Sequence, residues 1–141
     1  MPDGFEMLQD DHRKVERLFE TYLHDNEDSV AREICEQLTL HTQVEEAALY
    51  PALRRNVDGG DDLADIAEQE HAAVKTLVAR IYDAPPEGLL DLVAELRREV
   101  DHHVEQEEST LFPEMREAGV DAGLLGAEIE GTRRVASPAS G

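Results

Sequence analysis

The chain has 141 residues, enough for one domain, and its 33 acidic against 13 basic side chains give a formal net charge of -20. This charge argues against a protein that binds the backbone of DNA or RNA and against one that docks on anionic lipid. The single cysteine, Cys35, excludes an internal disulfide and a cysteine-rich zinc or iron–sulfur site. The apolar runs are short and the N-terminus is acidic, so we expect a protein of the reducing cytoplasm that neither spans nor binds a membrane.

Apolar residues recur with helical spacing in four successive segments, separated by polar or glycine- and proline-rich breaks. Asp3 with Glu6 forms an Asp-x-x-Glu capping signal at the start of the first segment. The predicted helices cover residues 3–24, 28–56, 61–83 and 87–118. A short fifth helix is an option at 121–134, and the tail 135–141 is expected to be frayed.

These segments predict an all-α protein, because no segment alternates with the period of two that a strand requires. Four apolar stripes joined by short loops favour an antiparallel up-down-up-down four-helix bundle. The predicted division is a bundle at 1–120, followed at 121–141 by the short helix and a flexible tail.

An internal repeat joins the second and fourth predicted helices. Residues 41–51 and 103–113 both read His-x-x-x-Glu-Glu-x-x-Leu-aromatic-Pro. One histidine on the inward stripe, His12 or His71, precedes each copy on the neighbouring helix. The chain therefore contains two copies of one helical hairpin.

Six ionisable residues fall on the inward stripes: His12, His41, Glu45, His71, His103 and Glu107. Ionised carboxylates buried without partners cost several kcal/mol each, so something must compensate them. Residues four apart lie on one face of a helix, so each His-x-x-x-Glu pair can converge on one point. Four imidazoles and two carboxylates suit two metal ions, and nitrogen and oxygen ligands without sulfur favour iron or manganese.

Several neighbours of these residues have two interpretations. Glu16, four residues after His12, either hydrogen-bonds that histidine or lies on the surface. Tyr50 either packs at the edge of the site, like Phe112 in the second copy, or supplies an oxygen to a metal.

Each copy of the repeat also contains a second glutamate and a proline. Glu46 and Glu108 point away from the inward stripe, so they either support the ligands or are solvated, and the solvated position is favoured. Pro51 and Pro113 are expected to kink their helices just past the site.

With these residues, the chain resembles the hemerythrin-like (HHE cation-binding) domains over residues 3 to about 118. The resemblance implies a four-helix bundle that holds two iron ions, bridged by Glu45 and Glu107 and by an oxo or hydroxo group, with histidines in terminal positions. Hemerythrins that carry oxygen have two histidines, four residues apart, on the third helix. Here His71 stands alone, because Ala67 and Lys75 occupy the positions four residues away. The resemblance therefore implies an open position on one iron.

A buried metal pair without a basic patch or a nucleotide motif favours a small neutral ligand: hydrogen peroxide, dioxygen or nitric oxide. The favoured function is catalase-like decomposition of hydrogen peroxide, with no catalytic residue separate from the metal ligands. The alternative is a module that binds, senses or stores dioxygen, nitric oxide or iron without turnover, and a third is a purely structural metal site. We expect no nucleic-acid partner, and the sequence leaves the oligomeric state open.

Overall fold

The computed structural model describes residues 2–136, and the expected frayed tail lies mostly outside them, at 137–141. The α-helices are α1 (Gly4–Asp25), α2 (Asp28–Val44), α3 (Tyr50–Asn56), α4 (Gly60–Asp83), α5 (Pro86–Gln106), α6 (Phe112–Glu117) and α7 (Ala122–Ala136). A π-helical turn at Glu45–Leu49 joins α2 to α3, and a second at Glu107–Leu111 joins α5 to α6. Four long helical segments thus form the bundle, and the all-α prediction is confirmed.

The first helix shows how closely the local signals set the boundaries. The Asp3 side chain accepts hydrogen bonds from the backbone N–H groups of Phe5 and Glu6, as the capping signal predicted. At the other end, Asn26 adopts the left-handed conformation at φ 53° and donates its N–H to the Tyr22 carbonyl. The observed helix, Gly4–Asp25, is displaced by one residue from the predicted 3–24.

The distortion expected after the repeat lies instead before each proline, as a π-helical turn. Tyr50 donates its N–H to the Glu45 carbonyl and Phe112 donates to the Glu107 carbonyl, in each case five residues back. The following residues, Pro51 and Pro113, have no N–H to continue the i to i−4 ladder. Each turn begins with one of the two predicted bridging glutamates, so the irregular backbone is part of the candidate site.

Two apolar clusters enclose the polar centre of the bundle. One contains Phe19, Ile34 and Leu96, toward the α1–α2 and α4–α5 loops. The other contains Phe5 and Met115, on the side of the π-helical turns. Helix α1 packs on α2 and α4 packs on α5, so each repeated hairpin forms one half of the bundle.

The short fifth helix forms as α7 and extends to Ala136. It packs against α1 and α2 and buries Leu125 and Ile129. The approach is tight, because a Cβ atom on Gly126 would lie 2.3 Å from the Pro2 carbonyl oxygen. No helix among the described residues is long and apolar enough to cross a bilayer.

Candidate metal centre

All six residues of the inward stripes meet at the centre of the bundle. His12 comes from α1, His41 from α2, His71 from α4 and His103 from α5. Both glutamates come from the π-helical turns and are fully buried. The donor atoms form two groups, each within 4.8 Å: His12, His41, Glu45 and Glu107, and Glu45, His71, His103 and Glu107. Both glutamates belong to both groups, which is the arrangement that two bridging carboxylates require.

The first group contains four buried polar atoms without hydrogen bonds. His12 Nε2 lies 3.1 Å from Glu107 Oε1, and His41 Nε2 lies 3.0 Å from Glu45 Oε2, but the angles at these atoms do not suit hydrogen bonds. None of the four has a hydrogen-bond partner within residues 2–136. Buried polar groups are rarely left unpaired without a ligand to satisfy them. Two imidazole nitrogens and two carboxylate oxygens facing one point fit a metal ion.

The second group contains one more oxygen donor, the Tyr50 hydroxyl. Its oxygen lies 2.9 Å from His71 Nε2, 3.2 Å from His103 Nε2 and 3.1 Å from Glu107 Oε2. The two imidazole nitrogens are themselves 3.2 Å apart. The Tyr50 oxygen therefore lies beside the inward nitrogens of both histidines of this group.

The π-helical turn explains why the helical phase did not predict this position. In an α-helix, residues five apart are separated by about 140° around the axis. A π-helical turn closes an i to i+5 hydrogen bond, which brings Glu45 and Tyr50 to the same side. The equivalent residue of the second repeat, Phe112, stacks on the His12 ring at 6.1 Å between centroids. The repeat is therefore asymmetric, and the group that contains His12 has no phenol.

A carboxylate holds the outward nitrogen of each of the four histidines. The Nδ1 contacts are His12 with Glu108 at 2.6 Å, His41 with Asp11 at 3.2 Å, His71 with Glu46 at 2.8 Å and His103 with Glu70 at 2.7 Å. Such partners fix the orientation of an imidazole and leave its Nε2 free to bind a metal. Of the two interpretations of Glu46 and Glu108, the favoured solvated one is wrong and the supporting one is observed, because each is part-buried against a histidine of another helix.

Sequence reasoning missed Asp11 and Glu70, although the repeat carried a signal for them. Each directly precedes the first histidine of its hairpin, so an Asp/Glu-His pair occurs at the equivalent position of both hairpins. The pairing could not be read from spacing on one helix, because each carboxylate contacts a histidine of the neighbouring helix. The first predicted candidate, Glu16, forms an ion pair with Arg13 at 3.2 Å on the surface.

Each outer carboxylate contacts a basic side chain, which is an arginine or lysine in three of the four pairs. The pairs are Glu108 with Arg13, Asp11 with Arg133 at 2.6 Å, Glu46 with Lys75 at 3.0 Å and Glu70 with His102 at 3.3 Å. Arg133 belongs to α7, so the fifth helix reaches the centre through Asp11 and His41. Each histidine therefore lies in a chain that runs from the buried centre through a carboxylate to a basic side chain nearer the surface.

The centre without metal is an array of buried ion pairs. Burial alone would lower the pKa of His41, but the charges of Glu45 and Asp11 raise it to about 10. The pKa of His103 is also raised, against its burial, by Glu107 and by its other carboxylate contacts. Burial and the charges of Glu45 and Glu107 raise the pKa of the Tyr50 phenol. The metal-free centre thus holds protons at neutral pH.

Because the empty centre holds these protons, we expect metal binding to release protons and to acidify the solution. A metal needs neutral imidazole nitrogen, so binding must displace the protons held by His41 and His103. We expect roughly two protons to be released per chain when ferrous ion is added anaerobically at pH 7 in weak buffer. The same competition should weaken metal binding as the pH falls. Binding without acidification, followed with a pH indicator, would contradict the ion-paired description of the empty centre.

Two comparisons with known proteins concern the family and the fold. The profile of the hemerythrin HHE cation-binding domain matches residues 3–115. A crystal structure of a hemerythrin HHE cation-binding domain-containing protein from Mycobacterium kansasii superposes with a TM-score of 0.78, over 96% of this chain and 90% of that chain, at 21% identity. The latter likeness shows the fold alone.

A curated relative is 34% identical over 119 residues, which cover 79% of this chain. It is a DNA nickase from Nostoc sp. (strain PCC 7120), and the match spans 33% of its length. The chain thus corresponds to about a third of the length of that relative. The match of the domain profile to most of the sequence decides the family: the chain belongs to the hemerythrin HHE cation-binding domain family.

Proposed function

We propose that the chain binds two iron ions, bridged by Glu45 and Glu107 and by an oxo or hydroxo group, and decomposes hydrogen peroxide. The observation that carries the proposal is the set of four buried nitrogen and oxygen atoms without hydrogen-bond partners, beside a second group of the same kinds of donor. Nitrogen and oxygen donors without thiolate suit iron or manganese. His12 and His41 would complete one metal site, and His71 and His103 the other.

The Tyr50 oxygen is proposed as an additional ligand of the site that contains His71 and His103. Its short distances to both Nε2 atoms support this assignment. The phenol keeps its proton in the empty centre. It would release this proton on binding a ferric ion, because a cation favours the anionic form. The site with His71 then has five protein donors, whereas the site with His12 has four.

Because of this difference, we assign the exchangeable position to the side of His12 and His41. When bound, the iron pair would supply the two electrons that peroxide chemistry exchanges, and the net reaction converts two hydrogen peroxide molecules to dioxygen and two water molecules. The protein itself orients the imidazoles through Glu108 and Asp11. Glu108, with about a quarter of its side chain exposed, connects His12 with solvent and is suited to pass protons.

The second candidate is a module that binds dioxygen, nitric oxide or iron without turnover. It is favoured by the length of the curated relative, of which this domain forms about a third. In a longer protein, such a domain can report its ligand or redox state to other segments. The net charge of -20 argues against contact of this chain with nucleic acid.

Oxygen release separates the candidates. The iron-loaded protein should evolve dioxygen from added hydrogen peroxide in an oxygen-electrode cell, in the proportion of one dioxygen to two peroxides. The Glu45→Ala variant, mixed with the same amount of free iron, is the control for iron in solution. If peroxide only changes the optical spectrum once and releases no dioxygen, the binding module is favoured. If the spectrum does not respond to peroxide, dioxygen or nitric oxide, the site is structural.

A further inference from the structure

A small cavity lies directly beside the candidate metal centre. It has a volume of about 20 Å³ and contacts all four histidines, together with valine and leucine side chains. The glutamates and Tyr50 do not line it, so it lies on the histidine side of the centre, toward the apolar cluster that contains Phe19. A space of this size holds about one water-sized molecule. Its walls are apolar atoms, which suits a small neutral molecule better than an ion.

A surface groove approaches this cavity from outside. It runs between α2 and α4, has a volume of about 350 Å³ and reaches the surface beside Lys75 and Tyr82. Three residues, Leu38, Thr42 and Val74, line both the groove and the inner cavity. Each is only 4% exposed, so together they form the thin partition between solvent and the centre.

Another large groove does not make this connection. It lies between α1 and α5, has a volume of about 770 Å³ and is lined by charged residues such as Arg13, Arg97 and Asp101. None of its lining residues reaches the inner cavity. Size alone therefore does not identify the route; the shared partition does.

We propose that small neutral oxidants reach the centre through the α2–α4 groove, past the partition of Leu38, Thr42 and Val74. The inference rests on the proposed function for its substrate, hydrogen peroxide, but the route itself applies equally to dioxygen. The Thr42 hydroxyl is held by the Thr39 carbonyl at 3.1 Å, so the apolar side chains of Leu38 and Val74 must move aside. The partition therefore selects by size and slows the entry of bulky hydroperoxides.

At Val74, the side chain can be made either larger or smaller. Val74→Leu narrows the partition and Val74→Ala widens it, and general destabilisation would not give opposite effects at one position. Val93→Ala is the matched control, because Val93 is a buried valine of the same apolar cluster that lines neither space. All variants are compared at equal iron content.

The readout is a single oxidation of the anaerobically reduced, iron-loaded protein, followed optically by stopped flow. We expect Val74→Leu to lower the second-order rate constant with hydrogen peroxide and with dioxygen about fivefold. Val74→Ala should raise the rate with tert-butyl hydroperoxide more than the rate with hydrogen peroxide, and Val93→Ala should change neither. If Val74→Leu does not load iron, the route is tested with the two widening variants, Val74→Ala and Thr42→Ala, by the same comparison of the two hydroperoxides.

A second readout does not depend on reactivity. Crystals of Val74→Ala under xenon pressure should show one xenon atom in the inner cavity, because the shorter side chain enlarges it, and the wild type should show less or none. Rates that are equal in both Val74 variants, or xenon absent from the cavity of Val74→Ala, would overturn the route. If the wild type releases no oxygen from peroxide but its oxidation by dioxygen follows the Val74 series, the proposed function fails and the route stands.

Discussion

Replacing Glu45 by alanine is expected to abolish stable binding of both metal ions and to lower the melting temperature sharply. The Glu45 carboxylate belongs to both donor groups and lies 3.0 Å from His41 Nε2 and 2.9 Å from His71 Nε2. Its loss leaves buried imidazoles without their shared anion, which typically costs about 3–5 kcal/mol even before the lost metal is considered. Metal analysis and thermal unfolding with and without iron measure the two effects.

The matched control for this change is Glu16→Ala. Glu16 also follows a candidate histidine by four residues, but it lies on the surface and pairs with Arg13. Surface ion pairs contribute little, so this variant should bind metal like the wild type and unfold within about 1 kcal/mol of it. A Glu45→Ala protein that kept both irons would show that the carboxylate is not shared by two metals.

Replacing Tyr50 by phenylalanine should leave the iron in place but change its electronic properties. A phenolate bound to ferric iron absorbs visible light by charge transfer, so the wild type should show a band that Tyr50→Phe lacks. Loss of an anionic ligand should also raise the reduction potential of the centre, because the ferric state loses more stabilisation than the ferrous state. Optical spectra and a redox titration measure both changes.

Tyr22→Phe is the control for this change, since Tyr22 is a buried tyrosine in the apolar cluster that contains Phe19. It should keep both the band and the potential of the wild type. An unchanged visible spectrum in Tyr50→Phe would show that the Tyr50 oxygen supports the centre only through hydrogen bonds.

The helices and the inward stripe could be predicted because both follow one rule, the 3.6-residue period of the α-helix. His41 with Glu45, and His103 with Glu107, lie four residues apart before the period is broken. The π-helical turns begin at the glutamates, so the same rule gives the wrong direction for Tyr50. A proline one residue later in both repeats was the signal that the hydrogen-bond ladder changes there.

The outer carboxylates required information that no single helix contains. Asp11 contacts His41 and Glu70 contacts His103, and each contact joins two neighbouring helices. The rotation and height of neighbouring helices decide which histidine a carboxylate meets, and these depend on the packing of the whole bundle. The partition at Leu38 and Val74 depends on side-chain packing in the same way. Such features follow from the three-dimensional arrangement, whereas the ligand stripe follows from local periodicity.

Iron content per chain, measured with the optical spectrum of the same sample, tests the two-metal centre most directly. The two donor groups that share Glu45 and Glu107 predict two irons per chain and near-ultraviolet absorption from an oxo-bridged ferric pair. The sample should come from cells grown with ample iron and be freed of loosely bound metal. One iron per chain, or zinc alone under these conditions, would contradict a di-iron centre built from these six residues.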